Sequence, residues 1–250
     1  MGILSTSVRS IKPVVFPRFA WYDFIHTDHP ENTVFMQLFW HGYSSVRIEA
    51  KMGDTDVTIL TDPYESEASL RFPRTLTPDI LLLSHQDRSR FNLESVQGTP
   101  SIISDPGEYE VKSAFVQGIQ DKTVDAGMKD RSVIYRLVVE GMSIGFLGQL
   151  KRKLTPAEIE ELDDIDILLL PVGGGEVMDA KLANDTIADI EPRMVVPLHF
   201  DIPGIKTKLA DVNAFCKALG VCKRQDVSKL KITKKDLPAE DLLVTVLERA

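Results

Sequence analysis

Two apolar runs in this 250-residue chain end on a histidine. Ile80–Leu83 lead into Ser84-His85, and Val195–Leu198 lead into His199. A third run, VTILTDPY, reads as a strand that ends at Asp62 and is stopped by Pro63. Imidazoles bind metals and exchange protons near neutral pH, and a carboxylate beside them can do either. In α/β sheets, ligands gather beyond the carboxyl ends of strands, so these three ends suggest one shared mouth. Spacing alone leaves two readings open: a hydrogen-bonded rim, or a chemical site.

The elements that must position these residues follow from periodicity. MQLFW and SSVRIEA read as strands, as do DILLLS, PSIIS and AFVQGI. SVIYRLVV and MSIGFLG flank Glu140-Gly141 and make a hairpin. Thr155-Pro156-Ala157-Glu158 is a helix start, with Thr155 as cap, Pro156 at the first helical position and Glu158 completing a capping box. The pattern then alternates: DILLLPVGG strand, DAKLANDTIADI helix, RMVVPLHF strand, LADVNAFCKALG helix stopped by Gly220, then the strands KLKI and LLVTVLE. Such an order predicts an α/β layered domain. Gly173-Gly174-Gly175 lack the Gly-x-Gly-x-x-Gly spacing of a phosphate-binding loop, and a tight strand-to-helix turn is the preferred reading.

Residues 1–35 differ from the rest, being broken by Pro13, Pro17 and Pro30 and rich in close-set aromatics. They are read as an N-terminal extension to a domain spanning 36–250, with Met36 an alternative start of translation. Their aromatics could cover the domain or dock on another chain. The net charge of -8 argues against nucleic-acid partners, and Lys151-Arg152-Lys153 is too short a basic cluster to change that. No apolar run is long enough for a bilayer, so a cytoplasmic protein without membrane contact is expected. Cys216 and Cys222, the only cysteines, are expected to be two unpaired small residues in a reducing compartment.

Longer motifs carry a resemblance. WHGYSSVRI, ILTDPY, DILLLSHQDRSRFN, PGEYEV, GMSIGFLGQL, DILLLPVGGGEVMDA, EPRMVVPLHF and KITKKDLP stand in order and spacing similar to bacterial and archaeal metallo-β-lactamase-fold hydrolases. The branch resembled is that of Zn-dependent hydrolases similar to ascorbate-phosphate lactonases. The resemblance runs from about Met36 to the C-terminus and implies a four-layer αββα sandwich, with the metal mouth along one edge. It also places PGEYEV at a structural turn, with Glu108 and Glu110 in a fold role.

Against the family's His-x-His-x-Asp-His loop this chain has His85, Asp87, Ser89 and Arg90. The histidine that the resemblance implies beyond a Gly-Ile pair is missing after Gly118-Ile119. Gln149 stands at the bridging aspartate, His199 keeps the last histidine, and Tyr43 stands where a histidine often follows the glycine. A hydrolytic zinc takes about three protein ligands plus a water, and arginine cannot ligate because it stays protonated. His85, Asp87 and His199 are thus residual metal positions, and Asp62, Arg90 and Gln149 a candidate set for a small anionic metabolite. Arg88, Arg90, Lys151 and Arg152 are expected to add positive charge there. The expectation is a hydrolase-fold protein without dinuclear-zinc catalysis and with no cofactor, binding a small anion as a non-catalytic binding or scaffold protein. The alternative is a hydrolase with a rearranged or mononuclear zinc site, acting on a phosphorylated or lactone-type metabolite.

Overall fold

The structure, a computed structural model, describes residues 35–66, 70–123, 131–220, 222 and 224–250. The extension expected at 1–35 therefore lies almost wholly outside the described residues. Strands are β1 Met36–Gly42, β2 Ser45–Met52, β3 Thr55–Thr61, β4 Ile80–Leu82, β5 Ser101–Ile103, β6 Gly107–Val111 and β7 Ala114–Gln120. They continue as β8 Val133–Val139, β9 Met142–Phe146, β10 Ile167–Pro171, β11 Met194–Leu198, β12 Arg224–Val227, β13 Leu230–Ile232 and β14 Leu243–Leu247. Helices are α1 Pro156–Glu161, α2 Ala180–Ile190 and α3 Val212–Leu219.

One sheet runs β13-β1-β2-β3-β4-β5 and the other β12-β14-β11-β10-β9-β8-β7-β6. Strand alternation assigns the faces. Ile59, Ile80, Leu82 and Ile103 point into the main core between the sheets. Their neighbours Leu60, Leu81, Leu83 and Ile102 point outward, under Phe72, Leu76 and Phe91. The layer on that outer face includes the 3-10 turns Arg88–Arg90 and Leu93–Ser95. The two facing sheets with helices are the α/β sandwich that the sequence predicts.

The string Asp-Ile-Leu-Leu-Leu occurs twice, at 79–83 and 166–170, and does the same job twice. Each run is a parallel strand buried on both faces, which explains its unbroken apolar character. Asp79 N donates to Thr58 O at 2.8 Å, and Thr58 N donates back to Asp79 Oδ2 at 3.0 Å. Asp166 N donates to Ser143 O at 2.9 Å, and Ser143 N donates back to Asp166 Oδ2 at 3.0 Å. Each aspartate so closes the start of a parallel pair and sets its register, which fixes where the strand's other end emerges.

Three readings need correction. PGEYEV is not a turn: it forms edge strand β6, paired antiparallel with β7, because Tyr109 buries inward between the more exposed Glu108 and Glu110. Cys216 and Cys222 are not unpaired but joined as a disulfide. Helix α3 ends at Gly220, which has φ +81°, and the two cysteine Cα atoms lie 5.3 Å apart. The basic cluster is not a free positive surface. Arg152 forks onto Glu158, donates to Asp121 Oδ2 at 3.2 Å, and Lys153 pairs with Asp189 at 3.3 Å.

The capping box at α1 is present, and it carries more than the cap. Glu158 is buried, accepts from Thr155 N at 2.8 Å, and also accepts both ends of the Arg152 fork at 2.8 and 2.5 Å. Glu158→Ala would leave the part-buried guanidinium with Asp121 alone and deprive a helix-start N–H of its acceptor. The expected loss in denaturant unfolding is about 3 kcal/mol, with Glu158→Gln losing less because it keeps the cap. A loss for Glu158→Ala below about 1 kcal/mol, the range of a surface pair, would contradict this role.

Candidate functional site

The carboxyl ends of β3 and β4, from one sheet, and of β9 and β11, from the other, meet at one edge of the sandwich. Strand β3 stops at Thr61, one residue earlier than the sequence suggests, and Asp62 follows in a left-handed backbone with φ +36°. Its carboxylate is buried and turned onto the β4 end: Ser84 N donates to Oδ1 at 2.8 Å and Ser84 Oγ to Oδ2 at 2.5 Å. The Gln149 side chain adds a third hydrogen bond, and Arg90 acts on Asp62 through its charge. Of the three residues read as an anion-binding set, Asp62 and Gln149 therefore meet, around a carboxyl rather than a vacant cradle, while Arg90 reaches Asp62 only through its charge.

His199 sits at the end of β11, also left-handed, with φ +53°. Its backbone N donates to Tyr43 O at 2.9 Å, and its Nδ1 lies 3.0 Å from Ser44 Oγ. Ser44 Oγ in turn donates to Gly148 O at 2.8 Å. A hydroxyl has one hydrogen, so with that hydrogen on Gly148 O the contact with His199 runs the other way: Nδ1–H donates to Ser44 Oγ. This leaves Nε2 as the acceptor of a neutral ring. Burial pushes the His199 pKa down to about 4, in keeping with that neutral form.

Gly148 is the joint between the halves. Its φ is +56°, and a Cβ there would fall on the Ser84 side chain, so no other residue fits. Gly173, first of the glycine triplet, has a related reason, because a Cβ would fall on the His199 carbonyl oxygen. Gly173 is thus packing for the β11 end, while Gly174 and Gly175 take the positive φ of a turn. Tyr43 closes one wall, edge-on to His199 at 5.0 Å and to Tyr64 at 5.1 Å between ring centroids. Ser44, Ser84, Gly148 and Tyr64 went unnoticed in the sequence. Only Ser84, adjacent to His85, carried a signal.

His85 is buried just past β4 and bridges to Ser132 of the opposite sheet. Asp87, two residues on, caps the 3-10 turn: its Oδ1 accepts from Ser89 N at 3.0 Å and from Ser89 Oγ at 2.7 Å. Arg88 donates from Nε to Ser104 Oγ at 2.9 Å, while Arg90 is exposed at the turn's end. Of the four basic residues expected here, Arg152 is neutralised by two carboxylates and Arg88 is tied to Ser104.

A metal needs donors that converge, and here most are committed elsewhere. The Asp62 oxygens are held by Ser84, Asp87 caps Ser89, and Gln149 is bonded to Asp62. Among the described residues no group of three or more His, Cys, Asp and Glu side chains could hold an ion. His85 and His199 supply imidazoles, so the described residues bring together no donor set for a two-metal centre. They offer at most part of a single-ion set.

Burial pushes the Asp62 pKa up to about 7, from an ordinary 3.8, against the opposing pull of Ser84, Gln149 and Arg90. A raised carboxyl pKa means that the folded state holds a proton the unfolded chain has released. Stability from this group is therefore full below about pH 4 and is lost as pH rises towards 7. Asp62→Asn removes this dependence, so its unfolding free energy relative to the native chain should improve from pH 4 to pH 7 by about 2–4 kcal/mol and stay level above. His199 works with the opposite sign, its neutral ring losing stability as pH falls below 6.5 towards 4, but it is common to both proteins and cancels. A difference between the two proteins that does not change with pH would contradict the buried, protonatable Asp62.

Comparison with known proteins places this geometry. Residues 37–199 match the family model of the β-lactamase superfamily domain. A UPF0173 metal-dependent hydrolase of Thermoplasma acidophilum is 26% identical over 202 residues, covering 66% of this chain and 84% of the relative. One from Salinibacter ruber is 27% identical over 218 residues, covering 72% and 90%. A crystal structure from Thermotoga maritima, described as a Zn-dependent hydrolase of the metallo-β-lactamase superfamily, superposes with a TM-score of 0.68 at 25% identity, covering 85% of this chain and all of that one. No helix among the described residues is long and apolar enough to cross a membrane. With two facing sheets, a mouth at their shared edge and a family match over most of the domain, this chain belongs to the metallo-β-lactamase-fold superfamily.

Proposed function

We propose that this chain is a hydrolase acting on a small anionic metabolite, phosphorylated or lactone-type, in the mouth bounded by Asp62, His85, Gln149 and His199. The observation that carries this reading is where the backbone is strained. Among the described non-glycine residues with positive φ, Lys112, Ser113 and Glu140 lie in hairpin turns, and Asp164 and Glu191 follow helices. Tyr43 occupies the turn between β1 and β2. Only Asp62 and His199 belong to neither class, and both stand at this mouth. Such strain costs about 1–3 kcal/mol per residue and persists where geometry is held for a purpose. The names of the relatives, metal-dependent hydrolases, favour an enzyme over the non-catalytic binding protein that the sequence first suggested.

The chain's own groups support part of the chemistry. Neutral His199 presents Nε2 as an acceptor, able to take a hydrogen bond or proton from an attacking water, or to serve as one ligand of an ion. Protonated Asp62 can return a proton through Ser84 or Gln149. The Arg90 charge, on an exposed turn beside the mouth, favours an anionic substrate. A single zinc ion would supply further polarisation of water if His85 and His199 share it, but no third protein ligand stands among the described residues.

A second reading, anion binding without turnover, rests on that missing third donor. A panel of phosphate esters, phosphodiesters and lactones, with and without Zn²⁺ or Mn²⁺, separates the two. The expected result is turnover that falls roughly 100-fold or more in His199→Ala, with the loss shared by His85→Ala. Metal content of protein purified without chelator should not exceed one ion per chain. Two tightly held ions would contradict the rearranged site, and no turnover on any class would leave only the binding reading.

A further inference from the structure

We propose that Arg131 is the seat of the substrate's oxyanion, a phosphate or carboxylate held on one edge of its guanidinium; this rests on reading the mouth as a site for an anionic metabolite. Arg131 opens the approach to β8. Its backbone carbonyl accepts from Gln86 N at 3.0 Å, one residue beyond His85, and the next residue, Ser132, is the bridge partner of His85. The backbone of Arg131 is thus anchored beside the β4 end, where the chemistry gathers.

The residue is 7% exposed, yet its Nε and Nη2 are buried without a hydrogen-bond partner. These two nitrogens share one edge of the planar fork, and that edge is the one that grips a carboxylate or phosphate through two parallel bonds. A buried guanidinium with two idle donors is costly, and proteins normally satisfy such a group with a carboxylate. Among the described residues, three carboxylates of the adjoining segments are engaged otherwise. Asp105 accepts from Gln86 Nε2 at 3.0 Å, and Asp121 takes Thr123 N at 2.9 Å and Arg152 at 2.9 Å. Asp87 caps Ser89 at 3.0 Å. The open edge of the Arg131 fork is thus suited to an anion from outside the chain.

The assignment separates two roles that the sequence merged. Arg90, exposed and acting on Asp62 at a distance, attracts an anion. Arg131, buried and forked, grips one. Neither composition nor the family motif singles out Arg131, which follows Asp130 as one more charged residue in a polar stretch.

Calorimetric titration of the full chain with inorganic phosphate tests this without reference to turnover. The native chain should bind phosphate at one site. Arg131→Gln should weaken that binding roughly 10- to 100-fold, as expected for losing charge-assisted hydrogen bonds. Arg131→Lys, which keeps the charge but not the fork, should fall between. Without phosphate, Arg131→Gln should melt at or above the native temperature, since it removes an unpaired buried charge. Phosphate binding that survives Arg131→Gln unchanged, or no binding by the native chain, would overturn the proposal. If Arg131→Gln does not fold, Arg131→Lys decides by the same criterion. A substrate panel without turnover would sink the hydrolase reading and leave this binding result standing.

Discussion

One hydroxyl holds the two halves of this molecule in register at the place where they matter. Ser44, in the turn between β1 and β2 of the smaller sheet, donates to Gly148 O and accepts from His199, both of the larger sheet. Beside it, Gly148 packs so closely on Ser84 that the Asp62–Ser84 pair is pressed against the same joint. Through these contacts the ends of β3, β4, β9 and β11 form one surface. Tyr135 adds a parallel tie from β8, with its hydroxyl against Leu83 O at 2.7 Å and Ile103 O at 3.0 Å. The mouth is thus organised by the chain's own hydrogen bonds. In a centre held by two metals, the ions would take a share of that work.

This arrangement has an electrostatic consequence. Asp62 and His199 are both buried at the joint, and each responds by favouring its neutral form: Asp62 upward to about 7, His199 downward to about 4. A neutral acid and a neutral base at neighbouring strand ends are a usable pair for proton transfer, and they also avoid the cost of buried charge. Positive charge is kept at the edges, on Arg90 at the surface and on Arg131 beside His85.

The parts legible in the sequence were those decided locally. The capping box at Thr155–Glu158, the Glu140-Gly141 hairpin and the stop at Gly220 depend on residues within one or two turns. The doubled Asp-Ile-Leu-Leu-Leu runs read as buried strands because both faces are covered. What was not legible depends on partners far along the chain: Ser44 and His199 are 155 residues apart, and Arg152 and Asp121 are 31 apart. Arg152 therefore read as a free charge at the mouth when it is a neutralised strut. The cysteine pair was hidden for another reason, since a spacing of six across a helix end does not by itself set the distance between the two side chains. Asp87 has the residue type of a substitute ligand, but its oxygen is engaged by Ser89. Residue type announced these donors, but geometry decided their use.

The chemistry of this mouth depends on the tautomer of His199, because that is what turns a buried rim histidine into an available acceptor. Nitrogen-15 NMR of the imidazole in the full chain reads it directly. The predicted spectrum at neutral pH shows a protonated Nδ1 and a bare Nε2, unchanged on acidification until well below pH 6, and disturbed in Ser44→Ala. A ring protonated at Nε2, or one that titrates near the ordinary value of about 6.5, would contradict the Ser44 link and the chemistry assigned to this mouth.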